Sequence, residues 1–262
     1  EEFREVVTTE TPLAPLAPQI AGGLAWQARV DNVRFPMRLT VAGSQVFAAG
    51  SDGSVVAVDA DTGRELWRAS AGAPLSAGIG SDGLLAAGDI PGHAAVVTSG
   101  NQLVVLDQGR EAWRRTLPSR VLTAPLVAGE RVFVLRVDRT VQAFDALDGR
   151  PLWTVARPGE ALTLAQSGVI APLGDLLLVG QGSRLVALEP LRGNARWEVA
   201  VATPRGTNEV ERLADLVGPP TRIGKTVCAR AFQTAASTAS AARCCGAGPV
   251  RAPSRSAVMP NC

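Results

Sequence analysis

The sequence predicts an all-β fold, a partial β-propeller of four-stranded antiparallel blades. Three observations carry this reading. Tryptophans stand at 26, 67, 113, 153 and 197, a spacing of 40 to 46 residues, the period of stacked supersecondary units. Each has a glycine four positions earlier, namely Gly22, Gly63, Gly109, Gly149 and Gly193. The last four also have an acid ahead of them: Asp59, Asp145 and Glu189 eight before, and Asp107 six before, as a turn shortened by two residues would give. Finally, short β-branched and apolar runs alternate with Asp/Gly turns, the hairpin signal. No 12-residue window keeps a 3.6 period free of Gly and Pro, so almost no helix is expected. Separate β-sandwich modules would need ~100 residues each. A single blade cannot bury both its faces, so neighbours must stack.

Residues 1–23, with TPLAPLAP, read as an extended lead-in. LAWQARV (24–30) reads as the fourth strand of a unit whose other strands do not precede it, an orphan closing strand. The first full blade spans 36–70: RLTVA, QVFAAG, SVVAVD and RELWRA, separated by Gly43-Ser44, Ser51-Asp52-Gly53 and ADTG. The second, 74–116, keeps the plan with LSAGIG, HAAVVT, QLVVLD and REAWRRT, and carries an insertion, SDGLLAAGDIPG, at 81–92. The third, 121–156, is LTAPLVAG, RVFVLRV, TVQAFD and RPLWTV. The fourth, 161–200, is LTLAQSGVIAPLG, DLLLVG, RLVALE and ARWEV. After the connection VATPRGTNEVERLADLVGPP, half a blade follows at 212–233, with a strand ending near Ile223 and another in KTVCARAF.

Residues 234–262 are different material. They hold three of the four cysteines and no Leu, Ile, Phe, Trp, Asp, Glu or Lys, and the next Gly-x-x-x-Trp is missing. This composition reads either as the product of a shifted reading frame in a GC-rich gene or as a natural tail, and disorder is expected in both cases. About four and a half blades are therefore present of an expected eight, and the open ring leaves strand edges exposed. Each tryptophan is expected to fill the wedge between adjacent blades, removing ~150–250 Å² from water.

Composition narrows function. Hydrophobic residues make up 46% and aromatics only 4%, so Val, Leu and Ala fill the core. The net charge of +2 argues neither for nor against nucleic acid, and the scattered arginines read as a solvated surface; no nucleic-acid partner is expected. No stretch reaches the ~20 apolar residues of a spanning helix, and EEFREVVTTE does not read as a signal peptide. Residues 1–227 contain no cysteine, so the blades hold without disulfides.

At VVAVDADTGRELW the chain resembles the quinoprotein-type (PQQ-like) propeller repeat. At RGTNEVERLADLVGPP, followed by VCARAF, the resemblance sharpens to the BamB family, lipoproteins of the machine that inserts β-barrels into the bacterial outer membrane. PLAPLAP with WQARV, and GNQLVVLD, fit the same family over about residues 12–233. The resemblance implies an eight-bladed propeller on the periplasmic face of the outer membrane. Its lipid sits on an N-terminal cysteine absent from this chain. It further implies a non-catalytic scaffold role, with the barrel subunit BamA as partner and nascent outer membrane proteins as further partners. Family contacts to BamA come from a loop with Leu-x-Leu followed by arginine, here Leu162-Thr163-Leu164-Ala165, and a loop with Asp-x-Asp, here Asp215-Leu216-Val217. The arginine and the second acid are not matched.

The partner-binding candidates are thus Leu162, Leu164, Glu209, Arg212 and Asp215. The leucines serve either as partner anchors or as core. Glu209, Arg212 and Asp215, three residues apart, form either a functional loop or a surface ion-pair set worth ~0–1 kcal/mol. Trp26, Trp67, Trp113, Trp153 and Trp197 are the structural wedges. No catalytic residue, metal site or cofactor is expected. Gly78 to Gly83 matches G-x-G-x-x-G, but no helix follows it, so hairpin turns explain the glycines. The competing function is a PQQ-dependent dehydrogenase, suggested by Cys244-Cys245, though that pair lies outside any blade. His93 is the only histidine and is expected to cap the inserted loop.

Overall fold

The computed structural model describes residues 23–37, 39–82, 92–157, 162–204, 206–223, 226–232 and 243–246. The lead-in before residue 23, most of the 81–92 insertion and all of the tail except 243–246 lie outside them. The described chain is all β.

Four sheets follow one another along the chain, each a four-stranded antiparallel meander. The first comprises β1 (Thr40–Ala42), β2 (Gln45–Ala49), β3 (Ser54–Asp59) and β4 (Glu65–Ser70). The second comprises β5 (Gly80–Ser81), β6 (His93–Val97), β7 (Gln102–Asp107) and β8 (Arg110–Thr116). The third comprises β9 (Leu126–Ala128), β10 (Arg131–Leu135), β11 (Val141–Asp145) and β12 (Pro151–Val155). The fourth comprises β13 (Ile170–Leu173), β14 (Leu176–Gln181), β15 (Arg184–Leu188) and β16 (Ala195–Ala200). A fifth sheet has three strands, β17 (Thr221–Ile223), β18 (Thr226–Ala229) and β19 (Arg243–Gly246).

β19 departs from the expectation of half a blade followed by a tail outside the repeat. Its backbone pairs with β18 in antiparallel register, Cys228 opposite Cys244. An open edge on β18 accepts any extended segment within reach, because main-chain hydrogen bonding needs no particular side chain. Residues 24–30, expected as a strand, carry no ladder among the described residues.

The middle strands of the first four sheets are apolar on both faces because each of these sheets is covered on both sides. In blade 2, Ala94, Val96, Val104 and Leu106 face Phe47, Val55 and Ala57 of blade 1. The intervening Ala95, Val97, Leu103 and Val105 face Val132, Val134 and Phe144 of blade 3. The same interleaving joins blades 3 and 4 through Phe133, Val141, Val179 and Val186. It joins blades 4 and 5 through Leu178, Leu185, Leu216 and Val227. The far face of blade 1 is covered by the N-terminal segment, with Trp26 and Val30 on Ala48, Val56 and Val58. The short innermost strands β1, β5, β9 and β13 come together. They line a groove of about 490 Å³ with Leu39, Val41, Ile79, Leu126 and Pro172 on its walls.

The Gly-x-x-x-Trp spacing has a geometric cause. Each fourth strand sets its tryptophan opposite a small residue of the third strand: Ala57 for Trp67, Val105 for Trp113, Ala143 for Trp153, Ala187 for Trp197. A register shift follows immediately in all four sheets, as a β-bulge re-aims a side chain. The ring then lies on the turn glycine of the next blade. A Cβ on Gly63 would stand 2.5 Å from Trp26, one on Gly149 2.6 Å from Trp113, and one on Gly193 2.7 Å from Trp153. Their indole Nε1 groups donate to the carbonyls of Ala60 (2.8 Å), Ala146 (2.7 Å) and Pro190 (2.9 Å), each the residue after the turn acid. Trp67 lies over Gly109, where a Cβ would be 3.1 Å from the ring. Trp197 packs half-buried on the cluster joining blades 4 and 5.

Candidate functional site

An antiparallel meander sorts its connections onto two faces. Turns between first and second strands, and between third and fourth, fall on one face. Turns between second and third strands fall on the other, together with the links from one blade to the next. The candidate partner residues all belong to this second face. Leu162 and Leu164 stand in the link from β12 to β13, and Glu209, Arg212 and Asp215 in the link from β16 to β17. Residues 162–169 are not strand; the strand expected across 162–174 begins at Ile170.

The two links meet at Asp215. Its Oδ2 accepts the backbone N–H of Leu164 at 3.1 Å. Its Oδ1 accepts Nε and Nη2 of Arg139 at 3.2 and 3.0 Å. Nη2 of Arg139 also reaches the carbonyl of Leu162 at 3.4 Å. Arg139 comes from the turn between β10 and β11, and its own carbonyl accepts Nε2 of Gln181 at 2.9 Å. Main-chain bonds complete the junction: Leu216 N–H to Gly182 O, Gly218 N–H to Ser167 O, and Phe232 N–H to Asp215 O. The Arg139 and Asp215 side chains are only 15% and 14% exposed. A small cavity of about 40 Å³ lies among Arg139, Leu164, Gly168, Gly182 and Asp215.

Leu162 and Leu164 are half-buried, so each combines packing with an accessible edge. Glu209 and Arg212 are exposed on a single turn. That turn is built by Glu211, whose carboxylate accepts the N–H of Thr207 (2.8 Å) while its own N–H donates to Asn208 Oδ1 (2.8 Å). The Thr207 backbone bond holds the Glu211 carboxyl below its ordinary value. Val210 is 67% exposed at the tip. The carboxylate of Asp215 turns inward to Arg139 instead of continuing this surface set. The sequence reading missed Arg139, Gln181 and Glu211. Only the last carried a signal, as the acid three residues after Asn208 in a capping-box spacing.

Elsewhere, Glu198 on β16 accepts both ends of the Arg157 guanidinium at 2.7 and 2.6 Å and Nη1 of Arg184 at 2.7 Å. His93 is buried on β6, and its backbone N–H donates to Asp82 Oδ1 at 3.0 Å. Burial raises the Asp82 carboxyl against the opposing charge and backbone bond of His93. Among the described residues no three His, Cys, Asp or Glu side chains gather as a metal site, and no helix is long and apolar enough to cross a membrane.

Comparison with known proteins bears on this geometry. The family profile described as outer membrane protein assembly factor BamB matches residues 17–90 and 51–245. The factor of that name from Bordetella pertussis is 38% identical over 84% of this chain and 56% of its own length. That from Burkholderia pseudomallei is 34% identical over 85% of this chain and 58% of its own. The chain thus spans little more than half the length of these relatives. The crystal structure of BamB from Moraxella catarrhalis shares the fold, with a TM-score of 0.64 at 22% identity, over 74% of this chain and 58% of that one.

Proposed function

The chain belongs to the family of the outer membrane protein assembly factor BamB, and on that premise we propose that it is a non-catalytic scaffold of the machinery that assembles outer membrane β-barrels. It docks on the periplasmic domains of BamA through the face that carries the blade-to-blade links. Leu162 and Leu164 supply the apolar anchors, Asp215 fixes their loop, and Glu209 and Arg212 supply outer polar contacts. The observation that carries the reading is the junction itself. Two links 51 residues apart in sequence are tied by the Leu164 N–H to Asp215 bond, with Arg139 across both. Two loops held in one geometry lose less freedom on binding than two independent ones.

In this reading the protein works at the periplasmic face of the outer membrane, held by an N-terminal lipid. Residues 24–30 serve as the closing strand of an eight-bladed ring. Two features support that placement. Trp26 occupies on blade 1 the seat that Trp113 and Trp153 occupy on blades 3 and 4. Ser51 N–H and Arg68 Nη2 also bind the Asn32 and Arg29 carbonyls of the segment.

The test is equilibrium binding to purified BamA periplasmic domains. A folded Leu164→Asp protein should lose affinity by about tenfold or more, as expected of a truncated apolar anchor, and Arg212→Glu should weaken it less. Undiminished affinity in Leu164→Asp, with native circular dichroism, removes this face as the docking site.

A further inference from the structure

We propose that Arg139 is the positioning residue of the partner site, clamping the 162–168 loop to the 206–218 link through Asp215. The proposal rests on the reading that this junction docks BamA.

Three observations carry it. The Arg139 guanidinium is the cross-brace of the junction. It bonds Asp215 Oδ1 twice and reaches the Leu162 carbonyl, while the other carboxylate oxygen holds the Leu164 amide. One side chain from blade 3 therefore sets the relative position of two loops that lie 23 and 76 residues further along the chain. Next, the pair is largely withdrawn from water, so its charges are weakly screened, and removing either partner strands the other. Finally, Arg139 holds a φ of +62°. Blade 1 places Gly53 (φ +105°) and blade 2 places Asn101 (φ +60°) at the matching place before the third strand. Asn and Gly tolerate this conformation, whereas an arginine is disfavoured there. A residue poorly suited to its backbone is retained where its side chain has a task. The position after Leu164 is Ala165, so the charge that meets Asp215 comes from the neighbouring blade and not from the leucine loop.

The backbone supplies a clean variant. Arg139→Gly suits φ +62° and deletes only the side chain. In the full chain, amide exchange at Leu164 and Leu216 and affinity for BamA periplasmic domains are measured on Arg139→Gly, Arg139→Lys and Asp215→Asn. The expected result for Arg139→Gly is unfolding that stays cooperative at a lowered midpoint, loss of protection at both amides, and affinity reduced about tenfold, the scale of a charge-assisted bond. Arg139→Lys should recover part of both. The double variant Arg139→Gly/Asp215→Asn should bind no worse than the weaker single one, because the two residues act as a unit. Unchanged protection in Arg139→Gly overturns the clamp. Undiminished affinity in Arg139→Gly, where Leu164→Asp does lose binding, overturns the positioning role. If Leu164→Asp also keeps full affinity, the docking reading falls and the amides decide the clamp alone. Lost protection in Arg139→Gly then leaves the clamp standing as a structural brace without a docking role, and retained protection overturns the clamp as well.

Discussion

Replacing Trp113 by alanine tests the joint on which the whole array depends. The side chain is 9% exposed. It stands opposite Val105 on its own blade and tilts against Phe144 of the next, with ring centroids 6.2 Å apart. Its Nε1 donates to Ala146 O at 2.7 Å. Truncation removes the wedge from between two blades that are each braced on their other face, so the gap closes only in part. The cost is about 3–5 kcal/mol, typical of a buried Trp→Ala change. Total stabilities are about 5–15 kcal/mol, so the effect is large. Urea unfolding followed by far-UV circular dichroism is the assay, since fluorescence loses one of its reporters. With a slope of about 1–3 kcal/mol/M, the midpoint should fall by a molar or more at constant slope. Gly149→Ala approaches the same joint from the other side. Gly149 has φ +69°, and a Cβ there would meet the Trp113 ring at 2.6 Å, so strain of about 1–3 kcal/mol is expected. The half-buried Trp153 and Trp197 should cost less than Trp113. A loss below about 1 kcal/mol for Trp113→Ala would refute the argument that the glycine-seated indole joins the blades.

Two further outcomes follow from other parts of the molecule. The Arg157 hydrogen bond, then the charges of Arg157 and Arg184, hold the Glu198 carboxyl below its ordinary value against partial desolvation. Because its folded pKa is depressed, Glu198 stabilises the protein at neutral pH. That contribution fades as pH falls below the unfolded value of about 4.3 and through the folded one. Glu198→Gln should therefore lower the urea midpoint at pH 7 but converge on the parent protein once the pH has fallen through the depressed folded value; a constant difference would show that the charge is not responsible. Trp26→Ala should uncover Ala48, Val56 and Val58 on blade 1, cost roughly 1–3 kcal/mol and raise binding of a hydrophobic dye. Unaltered dye binding would show that the segment does not protect that face.

The fold class was legible because its cause is local and repeated. An apolar third strand, an acid, a turn glycine and a tryptophan recur within fourteen residues or fewer, and each answers to a backbone or packing need of one blade. What sits between blades was less legible. The partners of the indole N–H groups are main-chain carbonyls of Ala60, Ala146 and Pro190, and a carbonyl leaves no mark in the sequence. The Arg139–Asp215 pair is 76 residues apart, with no spacing to announce it. Among scattered arginines Arg139 gave no sign of its partner, and the acids and bases of 209–215 invited a pairing within their own turn. The leucines of the 162–164 loop could not be assigned to core or surface from alternation. They belong to neither outright, being half-buried beside a satisfied carboxylate. The backbone pairing of β19 was hidden for another reason. Its side chains resemble no strand of the repeat, while the ladder needs only an extended main chain.

The joints also have a direction. Trp26, Trp67, Trp113 and Trp153 each reach forward in space to the turn of the following blade, never back, so blades 1 to 4 each present a seat to the element before. An array joined this way has stability close to a sum of blade terms and nearest-neighbour terms. Mid-array joints such as that of Trp113 are supported on both sides, whereas the ends depend on whatever fills the last seat. At blade 1 the seat is filled by Trp26 from a segment that carries no strand among the described residues, and that lays its carbonyls against Ser51 and Arg68. At the other end Trp197 points toward the fifth sheet, where the described residues include no turn glycine to receive it. The site at Arg139 and Asp215 lies between these ends, where blades 3, 4 and 5 support one another. Loops held there draw rigidity from three blades at once.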